Sequence, residues 1–238
     1  MPPSLKHFLT HLLELRKTLV GMLIAWLASS LLIIPFAPAL LRLCERWTPA
    51  TVQLVPLHPM DGMSVILLFV LYGGLLLALP VWMILLGRFV FPGLTATERK
   101  YATVLLGVST VLFIIGLLGG YFFLLPTALG ALDGISQWLG MSLSMWSVKQ
   151  YITFMLKVLL ASAIVMQLPI VLLLLVLGNI VTVAQLRHYR RHAVVTILII
   201  AMFLTPPDPV TQIVMAVPLY LLYEGCILVA IVFFRKKS

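Results

Sequence analysis

Six long runs of apolar residues divide the chain, and short polar stretches separate them. The runs cover residues 19–41, 64–87, 101–125, 152–178, 193–204 and 210–234. A helix needs about 20 apolar residues to cross about 30 Å of hydrocarbon, and most of the runs reach that length. They lack the alternation of apolar and polar residues that is typical of membrane barrels. The pattern therefore predicts an all-α polytopic membrane protein with six transmembrane helices in a single domain, residues 1–238.

The fifth run is much shorter than the others. It lies between a basic segment and the motif "TPPDP", which contains Pro206, Pro207 and Asp208 and predicts a rigid outer turn. The remaining residues number roughly 12, which gives about 18 Å of helix at 1.5 Å per residue. We therefore expect a thinned bilayer beside this span. The sixth run also predicts a short span if Pro218 breaks its helix.

Composition and charge agree with a membrane protein and set its orientation. Of all residues, 62% are hydrophobic and 10% charged, too few polar groups to cover a soluble globule. Of the 16 Lys and Arg residues, 12 fall on the side of the N-terminus, which predicts that both termini are cytoplasmic. Residues 1–18 are then a cytoplasmic amphipathic segment, and the net charge of +9 needs no nucleic-acid partner. Pro38 lies inside a sequence that could be a signal-peptide cleavage motif, where proline is unfavourable. We therefore expect that the first span is not removed by cleavage.

The acidic residues are few, and this topology sorts them. Glu45, Asp61, Asp133 and Asp208 fall outside, Glu224 falls in the last span, and Glu14 and Glu98 face the cytoplasm. A carboxylate among basic residues stays ionised and can bind a guanidinium group through two hydrogen bonds. Two structural alternatives stay open, because Glu14 is spaced to pair with Lys17 on a helix and Glu98 is spaced to form a capping box with Thr95.

Gln167 and Glu224 are the costliest polar residues inside the predicted spans, and such groups usually face a cavity or a partner. We predict that Gln167, which lies just before Pro169, lines a contact groove. The alternative is a hydrogen bond between helices of the same chain. The five histidines have poor spacing for a metal, and motifs such as HExxH and GxSxG are absent. The sequence thus predicts no metal, no cofactor and no enzymatic activity.

Several motifs, in their order and spacing, resemble the TatC family, the signal-peptide receptors of the twin-arginine protein translocase. They are "THLLELRKTL", "ALPVWMILLGRFVFPGLTATERK", "YFFLLPTAL", "MQLPIVLLLLVLG" and "FLTPPDPVTQIVMAVPLYLLYEGC". The resemblance implies that paired-arginine signal peptides of folded precursors bind at the cytoplasmic face. The positions that match the family's binding site are Glu14 and Glu98 with Arg16, Lys17, Phe89, Pro92, Arg99 and Lys100.

The resemblance also implies partners and a location. The expected partners are TatA- and TatB-type single-span proteins, precursor proteins, membrane lipids and further copies of the chain. The expected location is the cytoplasmic (inner) membrane of a prokaryote, where proton-motive force drives export. In the family the position of Gln167 often carries glutamate and meets the signal helix or a single-span partner, and Glu224 lies in the matching last span. The alternative function is a small-solute or ion secondary transporter, although such proteins commonly show internal repeats, which this chain lacks.

Overall fold

The computed structural model describes residues 3–48, 52–90, 96–141, 145–177 and 181–204, with short pieces between 212 and 231. Ten α-helices lie in the continuous part of this description: α1 (Pro3–Ile33), α2 (Ala37–Glu45), α3 (Asp61–Leu68), α4 (Gly74–Val90), α5 (Ala96–Gly119), α6 (Leu125–Trp138), α7 (Val148–Val165), α8 (Leu168–Leu177), α9 (Val183–His188) and α10 (Arg190–Leu204). A 3₁₀ turn (Ile34–Phe36) joins α1 to α2, and π-helical turns (Phe69–Gly73 and Gly120–Leu124) join α3 to α4 and α5 to α6.

Four helical stretches are long and apolar enough to cross a membrane. They are Leu13–Glu45, Asp61–Phe89, Arg99–Trp138 and Val148–Val176, and they correspond to the first four predicted spans. The third has 40 residues, about 60 Å at 1.5 Å per residue, because α5 continues through the π-helical turn into α6. The chain is therefore a multi-pass helical membrane protein. The count of six spans and the orientation of both termini stay predictions.

The fifth predicted span corresponds to α10, which has 15 residues. It begins three residues earlier than predicted, because Arg190, Arg191 and His192 form its first turn. Its length is about 22 Å, which still falls short of about 30 Å of hydrocarbon. The predicted turn at Pro206, Pro207 and Asp208 lies outside the described residues, and the described pieces of the last run are helical.

Two short strands correct the all-α prediction. Strand β1 (Gln53–Val55) pairs in parallel with β2 (Met145–Ser147), with Leu54 opposite Trp146. The two strands come from the two larger connections that the sequence places outside. Three residues per strand are too few for an alternating pattern to stand out, so local sequence could not reveal this pairing.

Helices α1 and α4 pack against each other in antiparallel orientation. The Trp82 indole donates to the Met22 carbonyl at 2.8 Å, and the Ser30 hydroxyl donates to the Val70 carbonyl at 2.9 Å. Gly74 lies against the backbone of Ser30, where an added Cβ would come 2.8 Å from the Ser30 Cα. This close approach fixes which residues of the two helices lie side by side.

The contact at Gly74 leads to a stability prediction. Gly74→Ala should destabilise the protein by up to about 2 kcal/mol, since crowding in a packed site costs roughly 1–3 kcal/mol and the gain in helix propensity offsets about 1 kcal/mol of that cost. The matched control is Gly107→Ala, because a Cβ at this helical glycine meets nothing within 4 Å. That variant should keep or raise the unfolding temperature in detergent. Equal unfolding temperatures for the two variants would contradict the proposed packing.

Candidate functional site

The first group of candidate residues lies on α1. Glu14 is half-buried, whereas Arg16 and Lys17 are exposed. The Glu14 carbonyl accepts a hydrogen bond from the Thr18 hydroxyl at 3.0 Å, within the same helix. One acidic side chain therefore lies beside two solvent-accessible basic ones at this end of α1.

The packing of α1 against α4 sets the level of Glu14 in the bundle. Gly21 lies opposite Leu85, since a Cβ added at Gly21 would be 3.5 Å from the Leu85 Cδ1. Glu14 precedes Gly21 by seven residues, about 10 Å along the axis, and Val90 follows Leu85 by five residues, about 8 Å. Glu14 therefore lies at about the level where α4 ends.

Helix α5 places Glu98 at a similar level on the other side of the connection. An added Cβ at Gly87 would run into the Leu106 side chain, so these two residues face each other. Glu98 precedes Leu106 by eight residues and therefore lies about 12 Å beyond the level of Gly87. Gly87 follows Leu85 by two residues, about 3 Å, so Glu14 lies about 8 Å beyond the level of Gly87. With the helix axes taken as parallel, Glu14 and Glu98 differ by about 5 Å in level.

The remaining candidates of this group lie around the same end. Phe89 is half-buried in the last turn of α4, and Arg99 and Lys100 are exposed in the first turns of α5. Pro92 and Thr95 lie outside the described residues, and so does the side chain of Glu98, whose backbone belongs to α5. The helices thus gather the described candidates at one end of the bundle, and the individual roles stay predictions.

The prediction that Gln167 lines a contact groove and is not buried among the helices of one chain is wrong in its second part, and its contact with a signal peptide or a partner stays a prediction. Its side chain is only 5% exposed, and its amide oxygen accepts a hydrogen bond from the Ser109 hydroxyl at 2.7 Å. Its amide nitrogen donates to the Ser109 carbonyl at 3.2 Å. Helix α5 approaches the end of α7 closely at Gly116, where an added Cβ would come 2.9 Å from the Ser162 carbonyl oxygen. The alternative, a hydrogen bond between helices, is confirmed.

The pair of Ser109 and Gln167 should show an asymmetry between its variants. Ser109→Ala leaves the buried Gln167 amide oxygen without its donor and should cost about 1–3 kcal/mol. Ser109→Ala combined with Gln167→Leu removes both polar partners and should recover most of that loss. Thermal unfolding of the two single variants and the double variant in detergent measures the coupling. A double variant less stable than Ser109→Ala would contradict this account.

Glu224 finds a partner within the chain. The Arg190 guanidinium at the start of α10 donates to the Glu224 carboxylate at 2.9 Å, and the Tyr220 hydroxyl donates to its other oxygen at 3.1 Å. The Tyr223 hydroxyl donates to the Leu186 carbonyl of α9 at 2.7 Å. These bonds connect the last helical region to α9 and α10. A contact of Glu224 with another protein stays a prediction.

Sequence reasoning missed Ser109 and Arg190 as the partners of Gln167 and Glu224. Ser109 lies 58 residues from Gln167, and Arg190 lies 34 residues from Glu224. A signal for Ser109 was present, because a serine within an apolar span is itself a polar group that needs a partner. Arg190 looked like one of several interchangeable basic residues, and only the fold distinguishes it.

Together, the apolar helices and the charged residues gathered at helix ends define a multi-pass α-helical membrane protein with candidate binding residues at one end of its bundle. The model of the family described as Sec-independent protein translocase protein (TatC) matches residues 10–218. The chain belongs to the TatC family and is a component of the Sec-independent (Tat) protein translocase, which acts in protein transport. The family membership does not favour a small-solute or ion transporter.

Relatives and solved structures agree with this assignment. The TatC protein of Aquifex aeolicus (strain VF5) is 34% identical over 231 residues, 96% of each chain. The TatCy protein of Bacillus subtilis (strain 168) is 31% identical over 97% of this chain and 91% of its own length. A crystal structure of the twin arginine translocase receptor TatC in DDM superposes with a TM-score of 0.83 at 34% identity, covering 92% of this chain and 98% of that one. The resemblance to TatC is confirmed.

Proposed function

We propose that the chain is the receptor of the translocase for paired-arginine signal peptides, which bind at the cytoplasmic end of α1, α4 and α5. The observation that supports this proposal is the packing of α1 and α5 against α4, which brings Glu14 and Glu98 to about the same level along the bundle. On this proposal, the two glutamates would flank the connection between α4 and α5. We propose no chemistry of its own for the chain.

The geometry suits two adjacent arginines. In an extended segment, consecutive side chains point in opposite directions. A signal peptide that crosses the end of α4 in extended form would present one guanidinium toward α1 and the next toward α5. Each guanidinium would meet one carboxylate and pair through two hydrogen bonds, a geometry that lysine cannot reproduce. This arrangement would select the arginine pair.

The surrounding charges support selectivity. Arg16 and Lys17 follow Glu14 closely on α1, and Arg99 and Lys100 follow Glu98 directly on α5, so each acidic residue lies in a basic stretch of the chain. The same basic residues repel every cation, and only a guanidinium that forms two directed hydrogen bonds would offset this repulsion. Positive charge alone would therefore be insufficient for binding. Phe89, half-buried at the end of α4, and Pro92 would provide apolar contacts to the peptide.

The proposal includes the remaining parts of the translocase. TatA- and TatB-type single-span proteins would associate with the helical faces, several copies of the chain would assemble, and proton-motive force would drive export. Exposed apolar side chains such as Val195, Ile199 and Met202 on the short helix α10 provide a lipid-facing surface for such a helix. The location would be the cytoplasmic membrane of a prokaryote, with both termini inside.

Co-isolation tests the proposed function. The tagged chain, purified from membranes with a precursor present, should retain a precursor whose signal peptide carries paired arginine and lose one that carries paired lysine. It should also retain single-span partners. Proteoliposomes that contain only this chain should not take up small solutes or ions. Equal retention of both precursors, or robust solute uptake, would contradict the proposal.

A further inference from the structure

An apolar pocket lies far from the candidate site, where the 3₁₀ turn after α1, helix α2, strand β1 and helix α3 meet. Its volume is about 510 Å³, within the range of pockets that hold small ligands. The buried side chains of Val65 and Phe69 line it, together with Leu41 and Leu54. Ile34 and Ile66 also line it and are 45% and 42% exposed, so the pocket opens onto an apolar surface.

The position of the pocket along α1 places it at a membrane boundary. Lys17 marks one polar end of the first apolar run, and Ile34 follows 17 residues later, about 26 Å along the helix. This distance is close to the thickness of the hydrocarbon layer, about 30 Å. The pocket therefore lies where acyl chains meet head groups, at the membrane face opposite Glu14.

One acidic residue lines the pocket, and two arginines lie next to it in the sequence. Glu45 lines the pocket with Leu41 and Pro38, which share one face of the helix because they are spaced by three and four residues. Arg42 directly follows Leu41, and Arg46 directly follows Glu45, a step of about 100° around the helix axis. Both arginines are exposed. Although Arg42 and Glu45 are spaced to pair with each other, the described residues show no ion pair between them.

We propose that this pocket binds a phospholipid whose head group carries a primary ammonium, as in phosphatidylethanolamine. An acyl chain would fill the apolar pocket, the phosphate would bind Arg42 or Arg46, and the ammonium would donate to the Glu45 carboxylate. A short ethylene link separates phosphate from ammonium in this lipid, which matches side chains one helical turn apart. The lipid would connect α2 to β1 and α3.

The charges favour this occupant over two others. An anionic lipid without an amine would bring its negative head group beside Glu45 and gain nothing from that carboxylate. An apolar peptide segment would fill the pocket but would leave the phosphate-binding arginines unused. A zwitterionic lipid with a hydrogen-bonding amine uses the apolar lining, the arginines and the carboxylate together.

Native mass spectrometry of the purified full-length chain tests the proposal, with phosphatidylethanolamine and phosphatidylglycerol supplied at equal concentrations. The wild type should retain phosphatidylethanolamine preferentially. Glu45→Gln, at an exposed position where folding is not at risk, should lower this preference about tenfold, the effect of losing one charge-assisted hydrogen bond. Asp133→Asn, a change of the same kind on α6, should leave the preference unchanged.

A pocket-filling variant tests the acyl-chain contact. Gly62 lines the pocket, and a Cβ there meets nothing within 4 Å, so Gly62→Leu should fold and abolish retention of the lipid. Gly134→Leu is the matched control, because Gly134 also has open space around it but lies on α6, away from the pocket. An unchanged lipid preference in Glu45→Gln, or full retention in Gly62→Leu, overturns the proposal. A photoreactive residue at exposed Met63 that captures a protein and no lipid in native membranes overturns it as well.

Discussion

Glu14→Ala and Glu98→Ala should each weaken the binding of a paired-arginine signal peptide by about 1.5 to 3 kcal/mol, roughly ten- to hundredfold in affinity. The reason is that each change removes one charge-assisted pair to a guanidinium group. The peptide affinity is measured with the purified protein in nanodiscs. The double variant should bind a paired-arginine peptide no better than a paired-lysine peptide, because both pairing positions are lost.

Asp133→Ala is the matched control for these variants. It also removes one carboxylate, but Asp133 lies on α6 and accepts a hydrogen bond from the Gln137 side chain at 2.9 Å. Its peptide affinity should equal that of the wild type. Normal affinity in both single glutamate variants would contradict the proposed recognition of arginine.

Lengthening α10 should reduce transport while leaving signal-peptide binding intact. The helix spans about 22 Å against about 30 Å of hydrocarbon, and tilting would only shorten its vertical reach. If α10 crosses the membrane, as we propose, the bilayer has to thin beside it. Four inserted leucines would add about 6 Å and remove most of this mismatch, which is worth about 2 kcal/mol at fractions of a kcal/mol per Å. If thinning assists the passage of cargo, export of a paired-arginine precursor should fall about tenfold.

Four residues are the appropriate insertion because they make little more than one helical turn and keep the following side chains near their original faces. The control replaces the four exposed residues Val194, Val195, Ile199 and Met202 by leucine, which changes composition without changing length. This control should export normally. Normal export by the lengthened protein would show that thinning beside α10 has no part in the mechanism.

The apolar runs predicted the first four spans because length and hydropathy alone decide whether a helix can cross a membrane. They did not predict that α5 and α6 form one continuous 40-residue stretch, since the polar residues around Asp133 looked like a separate connection. The sequence did not predict strands β1 and β2 for a different reason. Their pairing joins distant segments of the chain, and each strand is too short to show a period.

The candidate site could be predicted only as a set of residue types. Two carboxylates in a basic field indicated a guanidinium site, and family resemblance selected Glu14 and Glu98. Their similar level depends on contacts such as Ser30 with Gly74, which the sequence does not reveal. For Gln167, the cost of a polar group in the membrane predicted a partner but not which one. The fold shows that the partner of Gln167 is Ser109 of the same chain, on the helix that approaches α7 closely at Gly116.

Site-specific photo-crosslinking tests the central claim most directly, that the signal peptide binds where Glu14 and Glu98 lie at one end of the bundle. Photoreactive residues replace Lys17 and Lys100 at that end, and Leu31 near the last residue of α1 and Trp138 at the last residue of α6, which are 69% and 85% exposed. The account predicts crosslinks to a paired-arginine signal peptide from positions 17 and 100 only, and their loss with a paired-lysine peptide. Crosslinks from positions 31 or 138 without any from 17 and 100 would contradict it.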